Sequence, residues 1–333
     1  MATTRKSIAA DILLRLARRF CGGFILVFHE IPARQFVRFV EALDGFHVVH
    51  LTELVKRVRH RKPTRGLFAI TVDDGVGENV RALARAMQEK HWPGTFYLPS
   101  GYLDSGVAMP FQWLRAVEPF LPKRAISLTS GAIDLSGPGA YEKLWRRMET
   151  LWRTRRPDAY LPFIMELVDA AAAERGLPKT ALEPPGPIGW EEVRQLSRSD
   201  LISFESHGVS HVALSSLTEQ ELEWELEHSR NRIAENTARP CRHFCYPFGS
   251  IESIGPLAPA IARRYYDSAV TMYMGHVDGA NPWVLPRIPL YPKNSMLFAG
   301  LKLALKCTPM ATIVVRRSLP RDLPLPAGPE TST

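Results

Sequence analysis

The stretch FAITVDDGVGENV, residues 68–80, runs an apolar β-type segment into two adjacent carboxylates, Asp73 and Asp74. Adjacent like charges at the end of a buried strand repel each other. Neither aspartate has an evident structural task there. In parallel α/β proteins, polar residues that follow an apolar strand gather at the C-terminal edge, where active sites form. The pair therefore marks a candidate site, and the segments around it decide the fold.

Working outward, β-type runs alternate with helical patterns. The spacing predicts strands over 23–30, 46–49, 66–74 and 94–99, with helices over 33–43 and 79–90. The rhythm breaks at 104–188, where helices are predicted over 140–154 and 160–176. This segment reads as an insertion capping one mouth of the domain rather than as a second core. Alternation then resumes with a helix over 190–198, a strand over 201–207 and a long helix over 218–236, followed by a strand over 242–248, a helix over 258–266, and strands over 268–272 and 287–291. Thr218 and Glu221 form a capping box before the long helix. About seven strand–helix units imply an α/β protein of parallel βαβ construction, closer to a (β/α) barrel than to an open sheet.

The chain of 333 residues is 45% hydrophobic, enough for a full core and too apolar for general disorder. Its four cysteines have no C-x-x-C spacing, so neither a disulfide scaffold nor a cysteine zinc site is indicated. Residues 1–22 read as a basic amphipathic segment, interrupted too often by arginine to be a secretory signal. No apolar run approaches the roughly 20 residues that span a bilayer. A cytoplasmic protein, soluble or peripheral at the inner face of the membrane, is expected. The formal charge of +8 favours an anionic partner. No nucleic-acid motif accompanies it, so nucleic acid is not expected.

Four predicted strands end in chemically useful residues: His29; Asp73 with Asp74; His207 with His211 close behind; and the run Tyr246, Pro247, Phe248, Gly249. His207 and His211 would share one face if the chain turned helically after the strand. Two imidazoles and a carboxylate make a facial metal site with open positions, suited to zinc and to several other divalent ions.

At this point the residues resemble a family. TVDDG (71–75), SHGVSH (206–211) and CYPFG (245–249) are similar, in order and spacing, to three motifs of the polysaccharide deacetylases, the carbohydrate esterase family 4 or NodB-homology group. The resemblance covers roughly 23–291 apart from the insertion. It implies a distorted (β/α)7-type barrel that removes N-acetyl groups from amino sugars in a polysaccharide, oligosaccharide or glycolipid. It further implies Asp73 as general base, Asp74, His207 and His211 as metal ligands, and the Phe248 N–H as oxyanion donor within the Tyr246–Gly249 run. The implied cofactor is a divalent metal, zinc first, with cobalt, nickel, iron or manganese also compatible.

Three departures from the family pattern stand out. The late strand that carries the usual acid histidine is absent, whereas FILVFHE (24–30) ends an apolar strand in His29, as in circularly permuted relatives. First and last strands are neighbours in a closed barrel, so His29 is the expected general acid. Cys245 occupies the place of the arginine that usually orients the base, and Arg287 is the expected replacement. Gly208 stands where relatives carry a hydroxyl residue.

Residues 294–318 combine an apolar helical face with Lys302, Lys306, Arg316 and Arg317. Such a helix either closes the barrel or lies at an anionic membrane surface. The proline-rich tail 319–333 is expected to be disordered. Two other functional readings stay open: a catalytically silent carbohydrate-binding protein on the same barrel, and an amidase acting on a non-sugar C–N bond.

Overall fold

The structure is a computed structural model that describes residues 21–154 and 157–306. The expectations for residues 1–20, for 307–318 and for the 319–333 tail lie outside the described residues. One sheet organises the molecule: β1 (Phe24–Phe28), β2 (His47–Val48), β3 (Leu67–Val72), β4 (Gly94–Leu98), β7 (Ile202–Ser206), β8 (His243–Cys245), β9 (Ser268–Val270) and β10 (Ile288–Pro289). Its order is β10-β1-β3-β4-β7-β8-β9, with β2 pairing β3, and every pairing in it is parallel. Seven strands on the main path make the distorted (β/α)7 barrel. Closure falls to the segment before β10. Leu285 bridges Val270 of β9, and three residues later the same chain pairs with β1 at Leu26 and Val27.

The helices that follow the strands are α1 (Ala33–Glu41), α2 (Leu51–Arg59), α3 (Gly77–Lys90), α8 (Trp190–Leu196), α9 (Glu219–Thr237), α10 (Ile251–Ile254), α11 (Ala258–Tyr265) and α12 (Met296–Lys306). Helix α2, with four charged residues in nine, has no counterpart in the predicted elements. The capping box at Thr218 forms as expected, with the hydroxyl accepting from the Glu221 N–H.

Alternation along the strands separates two apolar layers. Phe24, Leu26 and Phe28 of β1, Phe68, Ile70 and Val72 of β3, and Phe96 and Leu98 of β4 face the helices. Ile25, Ala69, Tyr97, Cys245 and Val270 face the lumen. Continued one step past each strand, that lumen parity carries His29, Asp73 and His207 to the barrel mouth.

The insertion differs from expectation. Its elements are α4 (Ser100–Ser105), α5 (Pro110–Val117), the two-stranded β5 (Ala125–Ile126) and β6 (Ile133–Asp134), α6 (Ala140–Thr154) and α7 (Pro157–Arg175). They enclose an apolar cluster of their own, including Phe111, Leu114, Met148, Trp152, Phe163 and Leu167. Two long helices with apolar stripes cannot both be covered by a barrel rim, so they cover each other. Among the described residues, no helix is long and apolar enough to cross a membrane.

Candidate active site

Each polar side chain at the barrel mouth is fixed by its strand and then by a backbone reversal. The Asp73 N–H donates to the Phe28 carbonyl (3.0 Å) and the His207 N–H to the Leu98 carbonyl (2.9 Å), so ladder hydrogen bonds run up to the site itself. Immediately beyond, the chain takes left-handed conformations at Asp74 (φ 74°), His211 (φ 52°) and Phe248 (φ 62°), each in a motif that also has a glycine at positive φ. Non-glycine residues seldom adopt this region, and their clustering at a polar cleft is the mark of a functional site. The reversal at Asp74 turns its carboxylate toward the histidines, although strand alternation alone would send it the other way.

His207 and His211 do meet, but without the helical turn expected of them. The segment between is irregular, with Gly208 at φ 78°, a conformation that explains glycine in place of a hydroxyl residue. Glu225, on the buried face of α9, holds this loop. Its carboxylate accepts from the Val209 N–H (2.7 Å) and the Ser210 N–H (3.1 Å), and the Ser210 hydroxyl completes the set. Sequence reasoning did not find Glu225. The available signal was its spacing with Leu222, Leu226 and Ile233, which sets a glutamate on an apolar stripe.

The histidine Nε2 atoms converge on one oxygen, Asp74 Oδ1, at 3.6 Å from His207 and 3.4 Å from His211. Those separations exceed a good hydrogen bond. They match the roughly 3.3–3.4 Å between two donors that each lie about 2.0–2.1 Å from a tetrahedral zinc ion. All three ligand atoms lie within 4.8 Å of one another, and the three residues are buried. His207 Nδ1 donates to the Cys245 carbonyl at 2.8 Å, which leaves Nε2 as the lone-pair atom, the usual arrangement of a metal-binding imidazole. The donor set fits a divalent metal. Burial works to raise the Asp74 pKa, but the imidazoles of His207 and His211 facing its carboxylate outweigh it and hold the carboxyl well below the usual range.

Asp73 is held quite differently. Arg287, fully buried, makes a two-pronged ion pair with it: Nη1 to Oδ1 and Nη2 to Oδ2, both 2.7 Å. The remaining guanidinium hydrogens reach the Thr71 hydroxyl (3.2 Å), the Thr271 carbonyl (2.9 Å) and Cys245 Sγ (3.1 Å). Cysteine at 245 leaves room for a guanidinium that arrives from another strand. Burial favours protonation of Asp73, yet the adjacent arginine wins and keeps its pKa below normal. His29 Nε2 lies 3.8 Å from Asp73 Oδ2, and its side chain is one-third exposed (32%), open to the cleft. Asn79 fixes the His29 loop, donating to the His29 carbonyl (2.8 Å) and accepting from the Ile31 N–H (3.1 Å).

The third motif divides. Phe248 stands at the site, its ring 5.1 Å from that of His211. Tyr246 does not: it packs in the outer core and donates its hydroxyl to the Trp283 carbonyl (2.9 Å). Gly249 is required sterically, because a Cβ there would lie 2.6 Å from the Met272 nitrogen. Pro247 shapes the turn, its carbonyl accepting from the Gly249 N–H (2.7 Å). The insertion supplies a roof: Trp152 stacks on His211 (4.7 Å, 19°), and the Arg153 guanidinium sits 4.5 Å from the Phe248 ring centre.

The family follows from fold and site together. The sequence profile described as polysaccharide deacetylase matches residues 60–255. The chain belongs to the polysaccharide deacetylase family, hydrolases of carbon–nitrogen bonds. No curated protein sequence matches it. Among solved structures it is similar to the Streptococcus pyogenes deacetylase PplD in complex with acetate, with TM-score 0.55 and 12% identity over 85% of this chain and 99% of that one. It is likewise similar to IcaB from Ammonifex degensii, with TM-score 0.51 and 14% identity over 85% and 97% of the two chains. A de-N-acetylase from Aggregatibacter actinomycetemcomitans aligns at TM-score 0.51 and 13% identity over 85% and 99%.

Proposed function

We propose that the chain is a divalent-metal-dependent N-deacetylase acting on an N-acetylated amino sugar in a glycan or glycolipid. The observation that carries this reading is the division of labour between neighbouring aspartates. Asp74 faces two imidazole Nε2 atoms, while Asp73 is clamped by Arg287 and lies beside His29.

Asp74, His207 and His211 would hold the metal, zinc being favoured by their spacing and chemistry. When bound, the metal supplies Lewis-acid polarisation of the scissile carbonyl and an acidified water. Asp73 accepts the proton from the attacking water. Its arginine partner keeps it ionised, and hydrogen bonds to both carboxylate oxygens fix its orientation. The Phe248 N–H is the proposed donor to the developing oxyanion. His29, exposed to the cleft, delivers a proton to the departing amine, so that the C–N bond breaks to give acetate and a free amino sugar.

The test is metal analysis of the purified protein, combined with acetate release from N-acetylglucosamine oligomers and from acetylated glycolipids. Asp73→Asn is expected to retain its metal and lose turnover by about 10²–10⁴-fold, the range of general-base catalysis. Undiminished acetate release by Asp73→Asn would overturn the role given to it. A protein that binds the oligomers with no acetate release, metal present, would be a silent binder.

A further inference from the structure

Eight large hydrophobic side chains are exposed among the described residues, and four of them belong to the eleven-residue helix α12. Leu297, Leu301 and Leu305 recur every four residues, with Phe298 beside them, at 43, 39, 60 and 48% exposure. The opposite face, Ala299 and Leu303, is buried against the barrel. The helix therefore already packs on the core through one stripe, and the second stripe needs another partner.

Charge identifies the partner. Between Asp278 and Asp322 the sequence contains no acidic residue, while it carries Arg287, Lys293, Lys302, Lys306, Arg316, Arg317 and Arg321. Arg287 is buried in the site; the other six stand on or near α12 in sequence. A leucine stripe within so one-sided a positive field is the composition of a helix that lies in an anionic headgroup layer. The N-terminal residues would be a poor cover in charge terms, with Arg5, Lys6, Arg15, Arg18 and Arg19 against the single Asp11. They favour the same anionic surface instead.

We propose that the exposed face of α12 docks on an anionic phospholipid bilayer and holds the barrel mouth beside the lipid surface. The helix touches the site through a short chain of contacts. Lys302 Nζ donates to the Pro289 carbonyl (2.8 Å) and lies over the rings of Phe298 (5.2 Å) and Tyr291 (5.5 Å). Tyr291 in turn stacks against His29, with ring centres 6.4 Å apart. Docking stands on the face and charge of α12 and does not depend on the reaction; joined to deacetylation, it brings membrane-borne glycans within reach of the cleft.

The test is flotation of the full chain with phosphatidylcholine vesicles, with and without phosphatidylglycerol. Wild-type protein is expected to float with the anionic vesicles, to stay behind with neutral ones, and to be released by salt. Leu301→Glu with Leu305→Glu should reduce the vesicle-bound fraction at least about tenfold. Because both side chains are exposed, circular dichroism and acetate release from a soluble oligomer should be unchanged. The milder Leu301→Ala with Leu305→Ala should give an intermediate loss. Failure of the wild type to float would overturn the proposal. So would equal flotation of the glutamate variant, which would move attachment to the flanking segments. A wild-type dimer made monomeric by the glutamate pair, without lipid binding, would assign the face to a second copy of the chain.

Discussion

The barrel and the insertion meet at one site but contribute to it in opposite ways. The barrel provides polar atoms held by strands: His29, Asp73, Asp74, His207 and Arg287 all emerge at strand ends and are tied by hydrogen bonds or ion pairs. The insertion provides aromatic and cationic surface. It contains no histidine between residues 104 and 188, and it reaches the site through Trp152 and Arg153 at the end of α6. Its apolar cluster is separate from that of the lumen. The difference separates the candidate reactive groups, carried at strand ends, from an aromatic and cationic face that covers them. Substitutions in the two regions should therefore disturb different observables.

The largest effect is expected in the barrel, at the ligand set. His207→Ala or Asp74→Ala should abolish stoichiometric divalent metal binding, measured by elemental analysis after dialysis, and abolish acetate release with it. The fold should persist, because His207 and Asp74 stand beyond the ends of their strands. A His207→Ala protein that keeps its metal would show that the three side chains do not act as one donor set.

Next in size is Arg287. Removing one partner of a buried ion pair costs about 3–5 kcal/mol, because the other charge is left without compensation. Arg287→Met should therefore lower stability by about that amount in urea titration. Arg287→Met combined with Asp73→Asn should recover part of the loss in stability, while turnover stays at the reduced level of Asp73→Asn alone. The pH dependence has a definite sign. Arg287 depresses the Asp73 pKa, so the stability this pair confers is present above the ordinary carboxylate range and is lost as pH falls through the folded pKa. Without the arginine, the Asp73 pKa rises, and the acidic limb of the kcat/KM profile should move to higher pH. An unmoved limb would mean that Asp73 is not the group titrating there.

These two predictions rest on residues that the sequence exposes well, and the reason is alternation. In a parallel barrel every second residue faces the lumen, and a polar residue one step past an apolar strand continues that series. His29, Asp73 and His207 are of this kind, whereas Arg287 stands one residue before β10 and Tyr291 two residues after it, on the same parity. The φ reversals at Asp74, His211 and Phe248 are not visible in residue type, because neighbouring hydrogen bonds and packing impose them. For that reason the His207–His211 spacing suggests a helical turn that does not form. Glu225 is hidden for another reason: in an acidic helix a glutamate looks solvated until the apolar stripe is traced through it. The insertion is least legible. Its longest helices have clear periodicity, but nothing local says that their stripes pair with one another rather than with the barrel rim.

The smallest effect belongs to that least legible region and decides what its contact with the proposed metal ligands is for. Trp152 lies flat against His211 and edge-on to Phe248, at 4.7 and 5.0 Å between ring centres. If the indole fixes the imidazole, Trp152→Leu, which keeps an apolar filling but loses the stacked plane, should weaken metal affinity by about 10-fold, at the lower end of outer-shell substitutions at metal sites. Competitive chelator titration measures this directly, and kcat at saturating metal should change little. If the insertion serves only as a cover for substrate, the same variant should leave metal affinity intact and raise KM. The barrel predicts the first outcome, because His211 has no strand beneath it and holds a left-handed backbone conformation. Of the three proposed ligands it is the one most dependent on a neighbour for its position, and its nearest flat neighbour comes from the other core.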